Sequence, residues 1–353
     1  MVGALALSLA ACGSDPSTGA EPTETEGGAA ISGDFAGAGA SSQESAMEAW
    51  VAGFQSANPD VTINYDPAGS GAGREQFLAG GVQWAGSDSA LDDEELAASA
   101  EVCGPDGAID LPIYVSPIAV AFNLPGVDSL NLSSEVIANI FNGEIKKWND
   151  QAIVALNPDA TLPDLAITPV HRSDDSGTTE NFTDYLGAAA PDVWTYEADG
   201  VWPFEGGEAA QGTSGVVDAV TNGTGTVGYA DASRAGDLGT VAVQVGEDFV
   251  EFSPEAAAAI VDASPEAEGR SEGDIAIEID RTSEEAGVYP IVLVSYIIGC
   301  QQYADSENVE LVKSYFSYMA SPEGQDVAAE AAGSAPISDT LREQVTAAID
   351  SIQ

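Results

Sequence analysis

Apolar positions recur along this chain at two periods, one helical and one extended. Ala46, Met47, Trp50, Val51 and Phe54 fall at helical spacing and predict an amphipathic helix that Asn58-Pro59 ends. Val61-Thr62-Ile63-Asn64-Tyr65 alternates at every second residue, as a half-buried strand does. A helix from about Arg74 to Ala79 and a short segment through Trp84 come next. Two longer stretches are apolar and β-branched: Leu111 to Leu124, interrupted by Pro112 and Pro117, and Val288 to Ile298. Strand–helix alternation of this kind predicts an α/β fold with mostly parallel sheet. At ~100–200 residues per domain, the 353 residues make two lobes. No flexible linker divides the middle of the chain, so the crossings between lobes fall to extended strands, and the two apolar stretches are the candidates.

The first residues read as an address. Val2 to Ala11 is a run of small and apolar residues, too short to span a bilayer and typical of a secretory h-region. Leu9-Ala10-Ala11-Cys12 resembles the bacterial lipobox, whose cysteine is diacylated on sulfur and becomes the mature N-terminus. Residues 1–12 are therefore expected to be a lipoprotein signal peptide, with Cys12 the lipidation site. No Lys or Arg precedes the run, which points to a basic n-region upstream of Met1. Residues 13–33, built of Pro, Gly, Ser, Thr and Glu without apolar period, are expected to be a disordered tether. The competing reading is a core helix with a buried Cys12, which leaves the tether directly behind it unexplained. Outside the cytosol, the remaining pair Cys103 and Cys300 favours a disulfide over two separate buried thiols.

Charge narrows the partners. Nine Lys and Arg stand against 58 Asp and Glu, a formal net charge of -49. Nucleic acid and anionic bilayers both need clustered cations, so neither is expected as an electrostatic partner. No apolar run reaches the ~18 residues that span a bilayer. Hydrophobic residues at 44% fit a folded chain rather than a disordered acidic one.

Three predicted helix starts share one chemistry. Gly37-Ala38-Gly39-Ala40-Ser41-Ser42 precedes the first helix and Gly69-Ser70-Gly71-Ala72-Gly73 the second. Arg172-Ser173-Asp174-Asp175-Ser176-Gly177-Thr178-Thr179 lies between the strand Ile167–His171 and a helix carrying Phe182 and Leu186. Glycines admit close approach, free N–H groups at a helix start point toward negative charge, and hydroxyls add donors. Each has a plainer alternative. Ser41 with Glu44 forms a capping box on paper, and Gly69 to Gly73 makes an ordinary strand–helix turn. Arg172, one of six arginines, is harder to assign to an exposed ion pair, because Asp174 stands ready to hold its guanidinium in one orientation. Asp88, in Gly86-Ser87-Asp88-Ser89, reads either as the N-cap of a helix around Leu91 to Ala98 or as an acceptor inside an anion pocket. In the second role it repels a fully ionised ligand and accepts the proton of a protonated oxyanion, which favours phosphate over sulfate.

These residues resemble the phosphate-binding lipoproteins of bacterial high-affinity phosphate ABC importers. The resemblance runs from about Phe35 to the C-terminus. It rests on Ile140-Phe141-Asn142-Gly143-Glu144-Ile145-Lys146-Lys147-Trp148-Asn149-Asp150 with Leu156-Asn157-Pro158, on Val170 to Thr179, and on the Gly37–Ser42 and Gly86–Asp88 runs. It implies a periplasmic-binding-protein-like (type II) fold whose two lobes, joined by two extended crossovers, close over one dehydrated phosphate. Ser41, the Ser42 N–H and Ser70 would donate to the ligand, Asp88 would accept its proton, and Arg172, oriented by Asp174, would make the one charged contact. Ser176, Gly177 and Thr178 would supply further hydroxyl and N–H donors. Two positions depart from the family: Ser41-Ser42-Gln43 stands where Thr-Phe-Pro is frequent, and Asp175 where Gly is common. Lobe I would be residues 34–116 plus 291–353 and lobe II residues 117–290, with the Cys103–Cys300 bond stapling the two segments of lobe I. The implied partners are inorganic phosphate and the permease subunits, with the membrane reached only through the lipid anchor, for a monomer needing no cofactor or metal.

Other classes fit less well. An enzyme would need a nucleophile elbow or a metal cluster, and the chain has no Gly-x-Ser-x-Gly and one histidine, His171, read as a packing residue. Asn222 to Tyr229 contains a dinucleotide-type glycine pattern, yet Thr226-Val227-Gly228-Tyr229 continues as a strand where a helix is required. A binding protein for sulfate or molybdate, and a surface lipoprotein that merely keeps the fold, are the remaining alternatives.

Overall fold

The structure, a computed structural model, describes residues 31–303 and 306–353. The proposed signal peptide, lipidated Cys12 and most of the tether lie outside them. Strands β1 (Gly33–Gly39), β2 (Val61–Asp66), β3 (Trp84–Ser87), β4 (Ala108–Phe122), β5 (Ser129–Leu132) and β6 (Thr168–Arg172) come first in the chain. They are followed by β7 (Glu208–Ala210), β8 (Thr226–Asp231), β9 (Gly239–Val245), β10 (Asp248–Val250) and β11 (Val292–Cys300). Their order across the sheet is β2-β1-β3-β11-β4-β8-β6-β7, with β9 branching from β4 to carry β5 and β10.

The α/β class is as expected, but the sheet is mixed. β1 is parallel to β2 and β3, and β6 is parallel to β7 and β8. β11 runs antiparallel to both β3 and β4, and β4 antiparallel to β8 and β9. Strand–helix alternation cannot reveal this, because β11 arrives from the far end of the chain and inserts between strands that are close in sequence.

β4 is the spine. All of its residues are buried, and it changes partner part-way: Ala108 to Pro117 pair with β11, while Ile118 to Phe122 pair with β8. Its prolines mark the two irregularities. Pro117 sits where the partner changes, and Pro112 sits beside a register shift that leaves Ile113 without a direct partner on β11. A residue that cannot donate to a ladder is tolerated in a central strand at such points.

Aromatic residues fill the core on each side of that change. Phe35 packs edge-on to Tyr315 and tilted against Trp84, while Phe182 stacks on Tyr229 with centroids 4.3 Å apart. Cys103, ending the helix Asp93–Cys103, is bonded to Cys300, which ends β11, across 197 positions of sequence with Cα atoms 5.0 Å apart.

Two helices differ from expectation. The second spans Ser70–Leu78, so Ser70-Gly71-Ala72-Gly73 forms its first turn rather than a lead-in. The glycines are there for approach: a Cβ on Gly73 would lie 2.4 Å from the Gly39 Cα. The helix Asp93–Cys103 starts later than expected, because Asp92 and Glu95 make a reciprocal capping box. Asp88 is therefore not its cap.

Candidate oxyanion site

Side chains from three helix starts meet at Asp88, the residue that follows β3. Its carboxylate is buried, 3% exposed. Oδ1 accepts from the hydroxyls of Ser42 and Ser295, each at 2.6 Å, and Oδ2 accepts from Thr178 at 2.8 Å. The Asp88 N–H donates to Ser70 Oγ at 3.2 Å, and its carbonyl accepts from Asn181 Nδ2 at 2.7 Å. A carboxylate this deep is tolerable when its lone pairs are hydrogen-bonded, and the three hydroxyls meet that condition. The helix Gly177–Ala189 reaches the carboxylate because it begins with glycine. A Cβ on Gly177 would fall 2.7 Å from Asp88 Cβ and 2.8 Å from Ser70 Oγ.

Beside this cluster stands the guanidinium of Arg172, at the end of β6 and 3% exposed. Nε donates to Asp174 Oδ1 at 2.8 Å and Nη2 donates to Oδ2, a two-point pair that fixes the plane of the fork. Asp174 Oδ1 also accepts the Gly212 N–H at 3.1 Å. Burial pushes the Asp174 carboxyl up. The hydrogen bond and charge of Arg172, with the Gly212 N–H, outweigh it and hold the group below its ordinary value. Gly69, at φ +109°, crosses this pair where a Cβ would stand 2.7 Å from Asp174 Oδ2.

The remaining expected residues belong to the same assembly, some in other roles. Ser41 makes no cap for its own helix. Its Oγ accepts the Thr213 N–H at 3.1 Å and lies 3.0 Å from Thr213 Oγ1, so the expected capping box with Glu44 is replaced by a link to the helix Gly212–Asn222. Ser176 caps the helix Gly177–Ala189 by accepting the Thr179 N–H at 3.3 Å. Asp175 fits a wall rather than disturbing one: its carbonyl accepts the Gly71 N–H at 3.3 Å, and its carboxylate packs where side chains at Gly71 and Gly200 would stand. Burial raises its pKa, and Asp199, Glu95 and Glu75 add to the rise against Arg74.

Five residues of the assembly were missed by sequence reasoning: Gln43, Asn181, Gly212, Thr213 and Ser295. Gln211-Gly212-Thr213-Ser214-Gly215 repeats the glycine–hydroxyl pattern of the other helix starts and was open to discovery. Ser295 is the one serine in an otherwise apolar or aromatic strand, a weaker signal. His171 packs as expected, stacked on Trp202 with both ring nitrogens against backbone carbonyls, of Arg172 and Gly206.

Among the described residues no group of His, Cys, Asp and Glu could hold a metal ion. A cavity of about 850 Å³ opens on the Asn181 side of Asp88, lined also by Glu180, Arg270 and Arg281. The chemistry on offer is reversible recognition: one oriented guanidinium, one hydrogen-bonded carboxylate, and N–H and O–H donors at helix starts.

Residues 24–323 match the PBP superfamily domain. The phosphate-binding protein PstS 3 of Mycobacterium tuberculosis is 36% identical over 98% of this chain and 95% of its own. Its counterpart from Mycobacterium leprae is 34% identical over the same shares. The chain belongs to the PstS family of the PBP superfamily. A solved relative, the high-affinity periplasmic phosphate-binding protein PfluDING with phosphate bound, aligns at TM-score 0.71 and 26% identity, over 89% of this chain and 93% of that one. In this PstS-family chain the unusual Ser41-Ser42-Gln43 turn has a visible consequence. Ser42 turns its hydroxyl onto Asp88, and Gln43 donates through Nε2 to Ser295 Oγ at 2.5 Å.

Proposed function

We propose that this protein captures inorganic phosphate outside the cytoplasm and delivers it to an ABC permease. The observation that carries the reading is the hydrogen bonding of Asp88. An ionised carboxylate offers about four lone-pair positions, and Ser42, Ser295 and Thr178 occupy three. The one left, on Oδ2, suits a ligand with a single O–H, and it opposes an oxyanion with none. Arg172, held by Asp174, supplies the charged contact. Ser41, Ser70 and Ser176 supply hydroxyl donors around it and Ser42, Gly177 and Thr178 supply N–H donors, the Ser42 and Thr178 hydroxyls being given to Asp88. The names of the PstS relatives and the phosphate-bound PfluDING structure support the same ligand.

Delivery follows from the family and from the sheet. Lobe I is residues 34–116 plus 291–353 and lobe II residues 117–290, with β4 and the Ile291 segment as the hinge. The change of β4 partner at Pro117 and the Ile118 N–H to Ile291 carbonyl bond of 2.7 Å favour that boundary. Lipidation at Cys12 keeps the otherwise soluble monomer at the membrane, and the protein performs no catalysis.

Titration calorimetry with phosphate, sulfate and arsenate tests the ligand, and Asp88→Asn tests the mechanism. Phosphate is expected to bind and sulfate to be rejected by at least about a hundredfold; Asp88→Asn is expected to weaken phosphate and admit sulfate. Sulfate binding as well as phosphate in the unmodified protein would end the reading.

A further inference from the structure

The buried amide of Gln43 reaches across the site to the strand β11. It lies in the short helical turn Ser41–Gln43 and is fully buried. Its Nε2 donates to two atoms of β11, Ser295 Oγ at 2.5 Å and the Tyr296 carbonyl at 3.1 Å. The carbonyl can only accept, so the amide nitrogen must face β11. Ser295 Oγ is then an acceptor toward Gln43, and its own single proton goes to Asp88 Oδ1 at 2.6 Å. The Ser87 carbonyl, at 3.3 Å and uncharged, is the poorer acceptor. The adjacent Ser42 donates to the same carboxylate oxygen, also at 2.6 Å. One three-residue turn therefore grips Asp88 Oδ1 twice, directly through Ser42 and indirectly through Gln43 and Ser295.

The backbone around this relay is shaped for it. The register of β11 against β4 shifts between Ser295 and Tyr296, where β4 carries one extra residue, Ile113, so the ladder is irregular beside the relay. Gly86 leaves room for the amide, since a Cβ there would fall 2.6 Å from Gln43 Oε1 and 2.5 Å from Tyr65 Oη. Oε1 itself is buried without a hydrogen-bond partner. A polar group retained at that cost is held for what its other end does.

We propose that Gln43 and Ser295 are positioning residues that fix the direction of the Asp88 carboxylate and thereby set the preference for a protonated oxyanion. The proposal rests on Asp88 accepting the ligand's proton, as inferred above. With Oδ1 tied to Ser42 and Ser295, the carboxylate cannot rotate, and the open position on Oδ2 faces a constant direction. Without Ser295 the group keeps Ser42 on Oδ1 and Thr178 on Oδ2 but loses its third anchor, so its direction loosens and it meets the ligand's O–H less often. Sulfate, which brings no proton, gains nothing from that direction and loses nothing with it.

Ser295→Ala and Gln43→Met in the full chain, titrated with phosphate and sulfate by calorimetry, test this. Each is expected to weaken phosphate roughly tenfold and leave sulfate unweakened, so that the ratio falls. In an Asp88→Ala background the same substitutions are expected to change phosphate binding by less than about twofold, since no carboxylate remains to direct. Thermal melts confirm that each variant is folded, and the two substitutions sit on different elements, so one readout survives loss of the other. Unchanged phosphate affinity in both variants, or parallel weakening of phosphate and sulfate, overturns the proposal while leaving the role of Asp88 standing. Full phosphate affinity in Asp88→Ala alone removes the premise and the proposal together.

Discussion

Replacing Asp231 by Asn probes the electrostatics of the crossing strands. Asp231 ends β8 opposite Ile118, just past the proline where β4 changes partner, and it has no solvent exposure. Tyr114 Oη donates to its Oδ2 at 3.2 Å and the Ser233 N–H to its Oδ1 at 3.0 Å. Burial raises its pKa to about 6; bonds from Ser233 and Ser116 pull against the rise, and the charge of Asp88 adds to it. In the unfolded chain an aspartate titrates near ~3.9. The folded state thus holds this proton more tightly than the unfolded one. Below pH ~4 both forms are protonated and there is no penalty. As pH rises from ~4 to ~6 the folded state progressively loses stability, and above that the cost is constant. Two pH units at 1.36 kcal/mol each put it at about 3 kcal/mol. Asparagine cannot ionise, keeps an amide oxygen for the Ser233 N–H, and offers its NH₂ to a reoriented Tyr114 hydroxyl. Asp231→Asn is therefore expected to be about 2–3 kcal/mol more stable than the parent at pH ~8, with the advantage gone at pH ~4. Urea unfolding followed by tryptophan fluorescence at several pH values gives the difference directly, and other groups common to both chains cancel. A stability difference that does not change with pH would refute the reasoning.

Two further substitutions test the frame. Replacing Cys103 and Cys300 by Ser opens a loop of 197 residues and is expected to cost about 5 kcal/mol in the chain-entropy description, seen as a lower unfolding midpoint. Phosphate affinity is expected to stay within about threefold if, on the proposed boundaries, the bond joins two segments of lobe I and leaves the crossings free; a large loss of affinity in the folded variant would contradict that placement. Gly177→Ala puts a methyl 2.7 Å from Asp88 Cβ, a contact that only a shift of the helix start or of the Asp88 backbone relieves, so calorimetry should show phosphate binding weakened about 10–100-fold, with stability lowered by about 1–3 kcal/mol. Normal affinity would mean that the helix does not need to approach Asp88 so closely.

The legible and illegible parts of this chain separate along physical lines. Local periodicity announced the helix Glu44–Ala57 and strand β2, and the residue types at Ser70, Asp88, Arg172 and Thr178 singled out side chains that the fold buries around Asp88 and Asp174. What sequence could not show was direction and partnership. A capping box at Ser41 and Glu44 satisfies every local rule, yet Thr213, 172 positions away, takes the Ser41 hydroxyl instead. Gly71 and Gly73 look like helix breakers, yet they lie inside a helix, where the missing Cβ atoms admit Asp175 and the Gly39 backbone. Ser295 looks like an accident in an apolar strand until β11 is placed between β3 and β4. Each failure concerns a contact made by chain segments distant in sequence, which no window of residues contains.

A chain of net charge -49 that takes up an anion has to do so against its own field. Arg172 is matched by Asp174, and Asp88 and Asp175 leave the immediate surroundings negative, so no excess of cations draws the ligand in. Two unit charges ~10 Å apart in water interact by only about 0.4 kcal/mol, and at physiological salt the Debye length is ~8 Å. The distant acidic surface is therefore a weak, screened repulsion, while hydrogen bonds inside a buried site act over ~3 Å and are not screened. Affinity is thus expected to change by less than about threefold between about 20 mM and about 0.5 M sodium chloride, in the direction of tighter binding as the repulsion is screened. A site fed by clustered cations behaves oppositely, losing orders of magnitude over the same range. Calorimetric phosphate titrations across that range decide between them, and a loss of tenfold or more on adding salt would mean that charge, rather than the short donors around Asp88 and Arg172, holds the ligand.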